Sequence, residues 1–309
     1  MSGTNGFLLV DKPKGPTSHD VVQAVRGLSG QRRCGHTGTL DPFATGLLPL
    51  CLGNATRLAR FVSLRSKTYS AVVRFGYATD TYDATGRAVG PKVEATLERG
   101  ILENALAAFV GRQDQVPPPY AAKKVKGKRM YQLARAGLPV ALRPVEVVIR
   151  RIRLQGLQGD RASLEVDVES GTYIRSLAHD LGQRLGCGAH LEELRRSRVG
   201  SFTVDQALSL ESIEILAREG RLEEVIWEPA RALSDLPALQ LLAEGASRVR
   251  HGRTVSPSDV AGRVPDVPPG QACRLLGPGG ELLAVGMAVE GLSEFRPVVV
   301  LTTPSQGGV

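Results

Sequence analysis

Apolar and polar positions along this chain fall into short alternating segments that read as strands, interrupted by stretches with the helical period. GFLLVDKP (6–13) is an apolar run that leaves a glycine and ends in proline, the mark of a short strand. Val21, Val22, Val25 and Leu28 then share one face of a helix that Thr17 or Ser18 can cap. GQRRCGHTGTLDPFATG (30–46) follows neither period, so tertiary contacts must hold it. LLPLCL (47–52) reads as a buried strand, NATRLARFV (54–62) as a short helix capped by Asn54, and KTYSAVVRFGYA (67–78) as a strand rich in β-formers. TDTYDATGR (79–87) is turn-rich. Residues 95–110 predict an amphipathic helix, and KRMYQLARAG (128–137) a helix stopped by Gly137. Strands around 144–154 and 162–169 lead into GTYIRSLAHDLGQRLG (171–186), a strand-to-helix junction ending in glycine, and acidic helices follow around 211–225.

Past Pro229 and Pro237 the texture changes to Gly, Pro and Val with short alternating runs, which predicts small strands and a domain boundary near 230–237. The chain is therefore expected to divide into 1–234 and 235–309. The element order argues an α+β catalytic domain with a small β-rich appendage.

At 309 residues, 42% hydrophobic and 23% charged, the composition is that of a globular protein with enough chain for about two domains. No apolar run approaches the ~20 residues of a membrane-spanning helix. The start, MSGTNGFLLVDKPKGP, does not read as a secretory signal. Cys34, Cys51, Cys187 and Cys273 are scattered without a CxxC pair, against both a zinc site and a disulfide framework. The expectation is a reduced, cytoplasmic protein without membrane contact. The net charge of +8 has an uneven origin. Residues 120–153 carry ten basic side chains and one acid, Glu146; residues 235–309 sum to −1; the remainder cancels. Clustered like charge repels itself unless a polyanion relieves it, so this stretch is either a solvated basic surface or a phosphate-contacting element.

GHTGTLDPFATGLL (35–48) is the most unusual segment. Asp41, between Leu40 and Pro42, can be a nucleophile, a base, a metal ligand or a turn-former. The turn-former is the commonest reading of an Asp before Pro, and metal ligation is less attractive, because His36 stands alone and no carboxylate or second His follows at ligand spacing. A nucleophilic aspartate must be ionised, and a guanidinium beside it lowers its pKa and fixes its orientation. Arg175 in GTYIR (171–175) is a candidate, with Tyr173 nearby and Tyr69 in KTY (67–69). On spacing alone the default reading of these three is as buried structural residues.

The chain resembles the TruB family of bacterial tRNA pseudouridine-55 synthases over essentially its full length. The residues that carry the resemblance are GFLLVDKPKGPTSHDVV (6–22), GHTGTLDPFATGLL, KTYSAVVRFGYATDTYDATG (67–86), PPPYAAKKVKGKRMYQLARAG (117–137) and GTYIRSLAHDLGQRLGCGAHLEELRR (171–196). The resemblance implies a pseudouridine synthase fold, a mixed and largely antiparallel sheet flanked by helices, with Asp41 as the catalytic carboxylate and Arg175 paired to it. It further implies that Tyr69 stacks on the target base and serves proton transfer at C5. Tyr173 and Leu194 would line the base pocket, and Asp83 would support it. His36 would pack into the RNA. Lys123, Lys124, Lys126, Lys128 and Arg129 would belong to an RNA-gripping insertion, and 238–309 to a PUA-like domain reaching toward the acceptor arm of tRNA. One departure stands out: after the prolines the family usually reads Tyr-Ser-Ala-x-Lys, whereas Tyr120 is followed here by Ala121, Ala122 and Lys123.

The implied isomerisation breaks C1′–N1 of uridine, turns the uracil and forms C1′–C5, with no net electron transfer and no added group. No redox cofactor, nucleotide or metal is therefore expected, in keeping with a sequence without P-loop or GxGxxG fingerprint. A non-catalytic tRNA-folding chaperone and a guide-RNA-dependent synthase are the rival readings. The presence of Asp41 and Arg175 argues against the first, and the built-in basic element argues for a stand-alone monomer against the second.

Overall fold

The computed structural model describes residues 4–119, 124–125, 128–129, 143–291 and 294–301. The first half runs β1 (Gly6–Lys12), α1 (Ser18–Ser29), β2 (Cys34–His36), β3 (Thr45–Leu52), α2 (Ala59–Ser63), β4 (Lys67–Phe75), β5 (Ala78–Thr79), β6 (Ala88–Val89), α3 (Arg99–Ala107) and β7 (Gly111–Gln115). Two short strands, β8 (Lys124–Val125) and β9 (Lys128–Arg129), precede the long hairpin of β10 (Val145–Gln158) and β11 (Arg161–Val168). The helix Ile174–Arg184, labelled α4, is followed by β12 (Ala189–Val199), β13 (Phe202–Thr203), α5 (Leu210–Arg218) and α6 (Pro229–Ala232). A second sheet then forms from β14 (Ala238–Gln240), β15 (Ala272–Leu276), β16 (Leu282–Ala288) and β17 (Phe295–Val300), with α7 (Ala243–Arg250) against it.

The main sheet orders its strands β1-β3-β12-β4-β11-β10-β7, with β2 on β3 and β13 on β12. Every pairing is antiparallel except β3 with β12, where Arg195 and Arg196 meet Thr45 and Gly46. This parallel contact is what brings the loop before β3 beside β12. Alternation in β4 sends Lys67, Tyr69, Ala71, Val73 and Phe75 inward, toward a core that includes Val21, Val25, Leu102, Leu177 and Leu181 from the helices. Thr17 caps α1 through a reciprocal box with Asp20, and Gly30 closes the helix in the left-handed conformation at φ 63°. The smaller sheet has its own core around Leu239, Leu275, Leu283 and Phe295. Leu282, Val285 and Val299 pack in addition with Phe7, Leu47 and Phe202 of the main sheet.

Several local expectations need correction. Asn54 does not cap a helix: Gly53, at φ 59°, opens a 3-10 turn over Gly53–Leu58, and the Asn54 side chain accepts instead from Arg33. The amphipathic helix is shorter than 95–110 because Val93 donates to the Gly76 carbonyl at 2.9 Å, keeping the approach to α3 extended. Lys128–Arg129 form a strand paired with Lys124–Val125, in place of the start of a helix over 128–137; the rest of that span lies outside the described residues. The aperiodic loop also contains the strand β2, whose three residues pair with Leu52, Cys51 and Leu50. Among the described residues no helix is long and apolar enough to cross a membrane.

Candidate active site

Three anchors hold the loop that carries Asp41. Ser18, at the start of α1, accepts from the Leu40 amide at 2.8 Å and donates to its carbonyl at 3.0 Å. Lys12 Nζ donates to the carbonyls of Pro13 (2.9 Å), Pro16 (2.8 Å) and Pro42 (3.4 Å), tying β1 to the residue after Asp41. Arg196 on β12, 1% exposed, donates to the carbonyls of Gly38 (3.1 Å), Thr39 (3.4 Å) and Leu47 (2.7 Å). The backbone polar groups of an irregular buried loop must find partners, and here buried cations supply the donors.

Asp41 lines a cleft of about 260 Å³ together with Tyr69, Tyr173, Arg175, Leu194, Lys67 and Arg196. Arg175, in the first turn of α4, donates to Asp41 from Nε (3.0 Å) and Nη2 (3.2 Å). Its Nη1 reaches Asp83 at 3.2 Å and the Thr81 carbonyl at 3.2 Å. A cation at a helix N-terminus works against the macrodipole, and the two carboxylates offset that cost. Asp83 is buried, and its Oδ1 accepts from the Thr81 hydroxyl (2.8 Å), the Thr85 amide (3.0 Å) and the Thr85 hydroxyl (2.6 Å). Arg175 is thereby fixed from behind while about a third of the Asp41 side chain (32%) faces the cleft.

Burial pushes the Asp41 carboxyl above the ordinary carboxylate range, with Arg175 pulling the other way and Asp83 adding to the push. Tyr173 is likewise raised by burial, eased by Arg175. Burial brings the amines of Lys12 and Lys67 down to about 8. The backbone of Tyr173 is clamped by Gln115, which accepts from its amide at 2.8 Å and donates to its carbonyl at 3.0 Å.

Of the candidates from the sequence, Asp41, Arg175, Tyr69, Tyr173 and Leu194 converge on one cleft, and Asp83 stands directly behind Arg175. His36 lies at the end of β2, half-buried, its Nδ1 accepting from the Gly38 amide at 3.3 Å, one residue before Thr37 enters the cleft wall. Lys123 and Lys126 fall outside the described residues, and the strands holding Lys124, Lys128 and Arg129 pair Lys124 with Arg129. The basic stretch has less free charge than its count implies. On β10, Arg150 pairs with Glu169, Arg151 with Glu165 and Asp167, and Arg153 with Glu165. Sequence reasoning missed the roles of Lys12, Lys67, Gln115 and Arg196. Arg196 had one signal: it follows Leu194 by two on β12 and therefore shares its face. Among the described residues no three His, Cys, Asp or Glu side chains are grouped to hold a metal ion.

Residues 26–174 match the model of the TruB family pseudouridylate synthase (N terminal domain), and residues 175–236 that of the tRNA pseudouridylate synthase B C-terminal domain. The chain is 43% identical over 297 residues to the tRNA pseudouridine synthase B of Solibacter usitatus, spanning 96% of this chain and 100% of the relative. It is 46% identical over 254 residues to that of Symbiobacterium thermophilum, spanning 81% and 83%. A chain in the crystal structure of a Cbf5-Nop10-Gar1 complex superposes with a TM-score of 0.74 at 26% identity, covering 96% of this chain and 84% of that one. The same fold recurs, with a TM-score of 0.75 at 24% identity over 97% and 86%, in an H/ACA RNP bound to a substrate RNA containing 2′-deoxyuridine. Fold and cleft together define an isomerase of the pseudouridine synthase class. The chain belongs to the TruB family of pseudouridylate synthases.

Proposed function

We propose that this protein converts uridine 55 in the T-loop of tRNA to pseudouridine, with Asp41 as the carboxylate on which the reaction depends. The observation that supports this reading best is the line Asp41–Arg175–Asp83. It presents one oriented carboxylate in a cleft also lined by Tyr69, Tyr173 and Leu194. The relatives named above are tRNA pseudouridine synthases B, and Asp41, Tyr69, Tyr173 and Arg175 lie in the segments that carry the resemblance.

The target base is stacked in its loop and must be turned out into the cleft. Tyr69 stacks on it, an interaction worth about 1–3 kcal/mol per base, and Leu194 and Tyr173 close the sides. Asp41 bonds to C1′ as the C1′–N1 bond breaks. The freed uracil turns, and C5 bonds to C1′ as the Asp41–C1′ bond breaks and the carboxylate is released. The C5 proton leaves by way of Tyr69 and N1 takes up a proton in exchange, so that atoms and electrons balance as an isomerisation. Asp83 keeps Arg175 on Asp41. His36 packs into the loop that the base has left. Lys123, Lys124, Lys126, Lys128 and Arg129 grip the phosphates. Residues 1–234 form the catalytic domain, and 235–309 a PUA-like domain toward the acceptor arm. The protein works as a cytoplasmic monomer without a cofactor.

The test is incubation with unmodified tRNA transcript followed by site mapping of pseudouridine. Product at position 55 is expected from the unaltered protein. Asp41→Asn should give none while binding tRNA within a few-fold; near-normal turnover by that variant would sink the assignment.

A further inference from the structure

The loop 79–87 meets α4 at two heights. At the first, Asp83 takes the guanidinium of Arg175. One turn on along the same helix, His179 lies flat on Tyr82, with ring centroids 3.7 Å apart and planes within 9°. Tyr82 and Asp83 are chain neighbours, as Arg175 and His179 are neighbours on one helical face. The ion pair and the stack are therefore two rungs between the same two elements.

The second rung is held under constraint. Tyr82 is the one non-glycine residue, among the described residues, with a left-handed backbone, at φ 64°. A bulky side chain keeps that conformation only where its surroundings impose it. The backbone does part of this: the Tyr82 amide donates to Thr79 at 3.2 Å, and its carbonyl accepts from Leu191 at 3.0 Å. The loop has no slack at Gly86 either, where a β-carbon would stand 2.4 Å from the Thr81 hydroxyl oxygen. His179 contributes the face of its ring. Its Nδ1 is buried without a hydrogen-bond partner, and burial holds the imidazole toward its neutral form. Neither Tyr82 nor His179 lines the cleft that holds Asp41.

We propose that the Tyr82–His179 stack is a positioning contact for the reaction. It sets the height of loop 79–87 on α4, so that Asp83 holds Arg175 in the pose that reaches Asp41. This inference rests on Asp41 being the carboxylate of the reaction.

The experiment measures kcat and KM on unmodified tRNA transcript for Tyr82→Gly, Tyr82→Phe, His179→Ala and the Gly/Ala double variant, each beside the unaltered enzyme. Tyr82→Gly removes the ring and the backbone strain together, and His179→Ala removes the opposite face without touching the loop. Each should lower kcat by about 10- to 100-fold, the scale of a small misplacement at a reacting centre, with KM little changed. Tyr82→Phe keeps the stack and should keep the rate. The double variant should lose no more than the worse single variant, because both remove the same stack. A Tyr82→Gly or His179→Ala enzyme with unaltered kcat overturns the proposal, as do losses confined to KM or losses that multiply in the double variant. Failure of the stack shows as equal rates among active enzymes. Failure of the functional reading shows as no pseudouridine from any of them, and it takes this inference down as well.

Discussion

The main chain of Gly46 lies so close against that of Arg196 that a β-carbon on Gly46 would stand 2.3 Å from the Arg196 carbonyl oxygen. Gly46 also sits at φ 101°, which side chains rarely adopt. The contact is where β3 and β12 run parallel, and it is what lets the Arg196 guanidinium reach back under the Asp41 loop to Gly38 and Thr39. Gly46→Ala must separate the strands or twist the loop. It should destabilise the protein by about 2–4 kcal/mol, more than a typical substitution, and should abolish pseudouridine formation even in molecules that remain folded. Urea unfolding and a turnover assay check both halves; a variant of ordinary stability and rate would show that the close approach at Gly46 is dispensable.

Arg175 is asked to keep a carboxylate charged in a place that disfavours charge. Burial already pushes Asp41 upward, and the guanidinium is the first force opposing it. Lysine offers no planar fork and cannot make the two-point contact of Nε and Nη2. In Arg175→Lys the Asp41 carboxyl should therefore rise further. In the proposed reaction the ionised form is the working one, so the acid limb of the rate profile should move to higher pH. At pH 7 the rate should fall about 100-fold and recover in part as the pH is raised. A profile with an unmoved acid limb would mean that Arg175 does not govern the charge on Asp41.

Much of this arrangement is legible in the order of the amino acids. The strand at 6–12 follows from an apolar run between glycine and proline, that at 67–75 from alternation, and the α1 cap from Thr17 or Ser18. The segment that carries Asp41 announces itself as a loop too irregular to stand without tertiary support. What supplies that support is hidden, because Lys12 and Arg196 are charged residues, a type seldom fully buried. Their partners are carbonyls, which every residue possesses, so no motif marks them. The cap assigned to Asn54 fails for a related reason: Gly53 takes the left-handed turn first, and local sequence does not reveal that Arg33 engages the Asn54 side chain. The charge of 120–153 misleads in the opposite direction, since Glu165, Asp167 and Glu169 lie beyond the stretch in sequence but beside it in the sheet.

Lys67 places a test of burial in the stability of the whole protein. It is 8% exposed, and its amine donates to the carbonyls of Ser63 (2.8 Å) and Arg65 (2.7 Å), which a neutral amine can still satisfy. Its folded pKa is pulled from 10.5 down to about 8. Between these values the unfolded chain holds a proton that the folded protein has released, so this residue adds stability as pH rises through the window. Below about pH 8 the cost of burying the charge is fully present. Lys67→Met has no such titration. The stability of the unaltered protein relative to the variant should climb by about 3 kcal/mol across the window, read from urea unfolding at several pH values; a flat difference would mean that the amine stays protonated throughout.

The proposed cationic grip can be divided by salt. A side chain that displaces counterions from phosphate contributes to the slope of log affinity against log salt by roughly 0.7–0.9 per phosphate neutralised. Replacing Lys123, Lys124 and Lys126 with glutamine should flatten that slope by this amount for every phosphate the lysines neutralise. Arg151 belongs to the same basic stretch, but its Nη2 is already matched by Glu165 at 3.2 Å and by Asp167. Its charge is spent within the sheet, so Arg151→Gln should leave the slope for tRNA unchanged. If Arg151 shifts the slope as much as a lysine does, the acids of β11 do not neutralise it when RNA is bound, and the whole stretch from 120 to 153 acts as the grip. If the lysines leave the slope unmoved, they solvate the surface and the phosphates are held elsewhere.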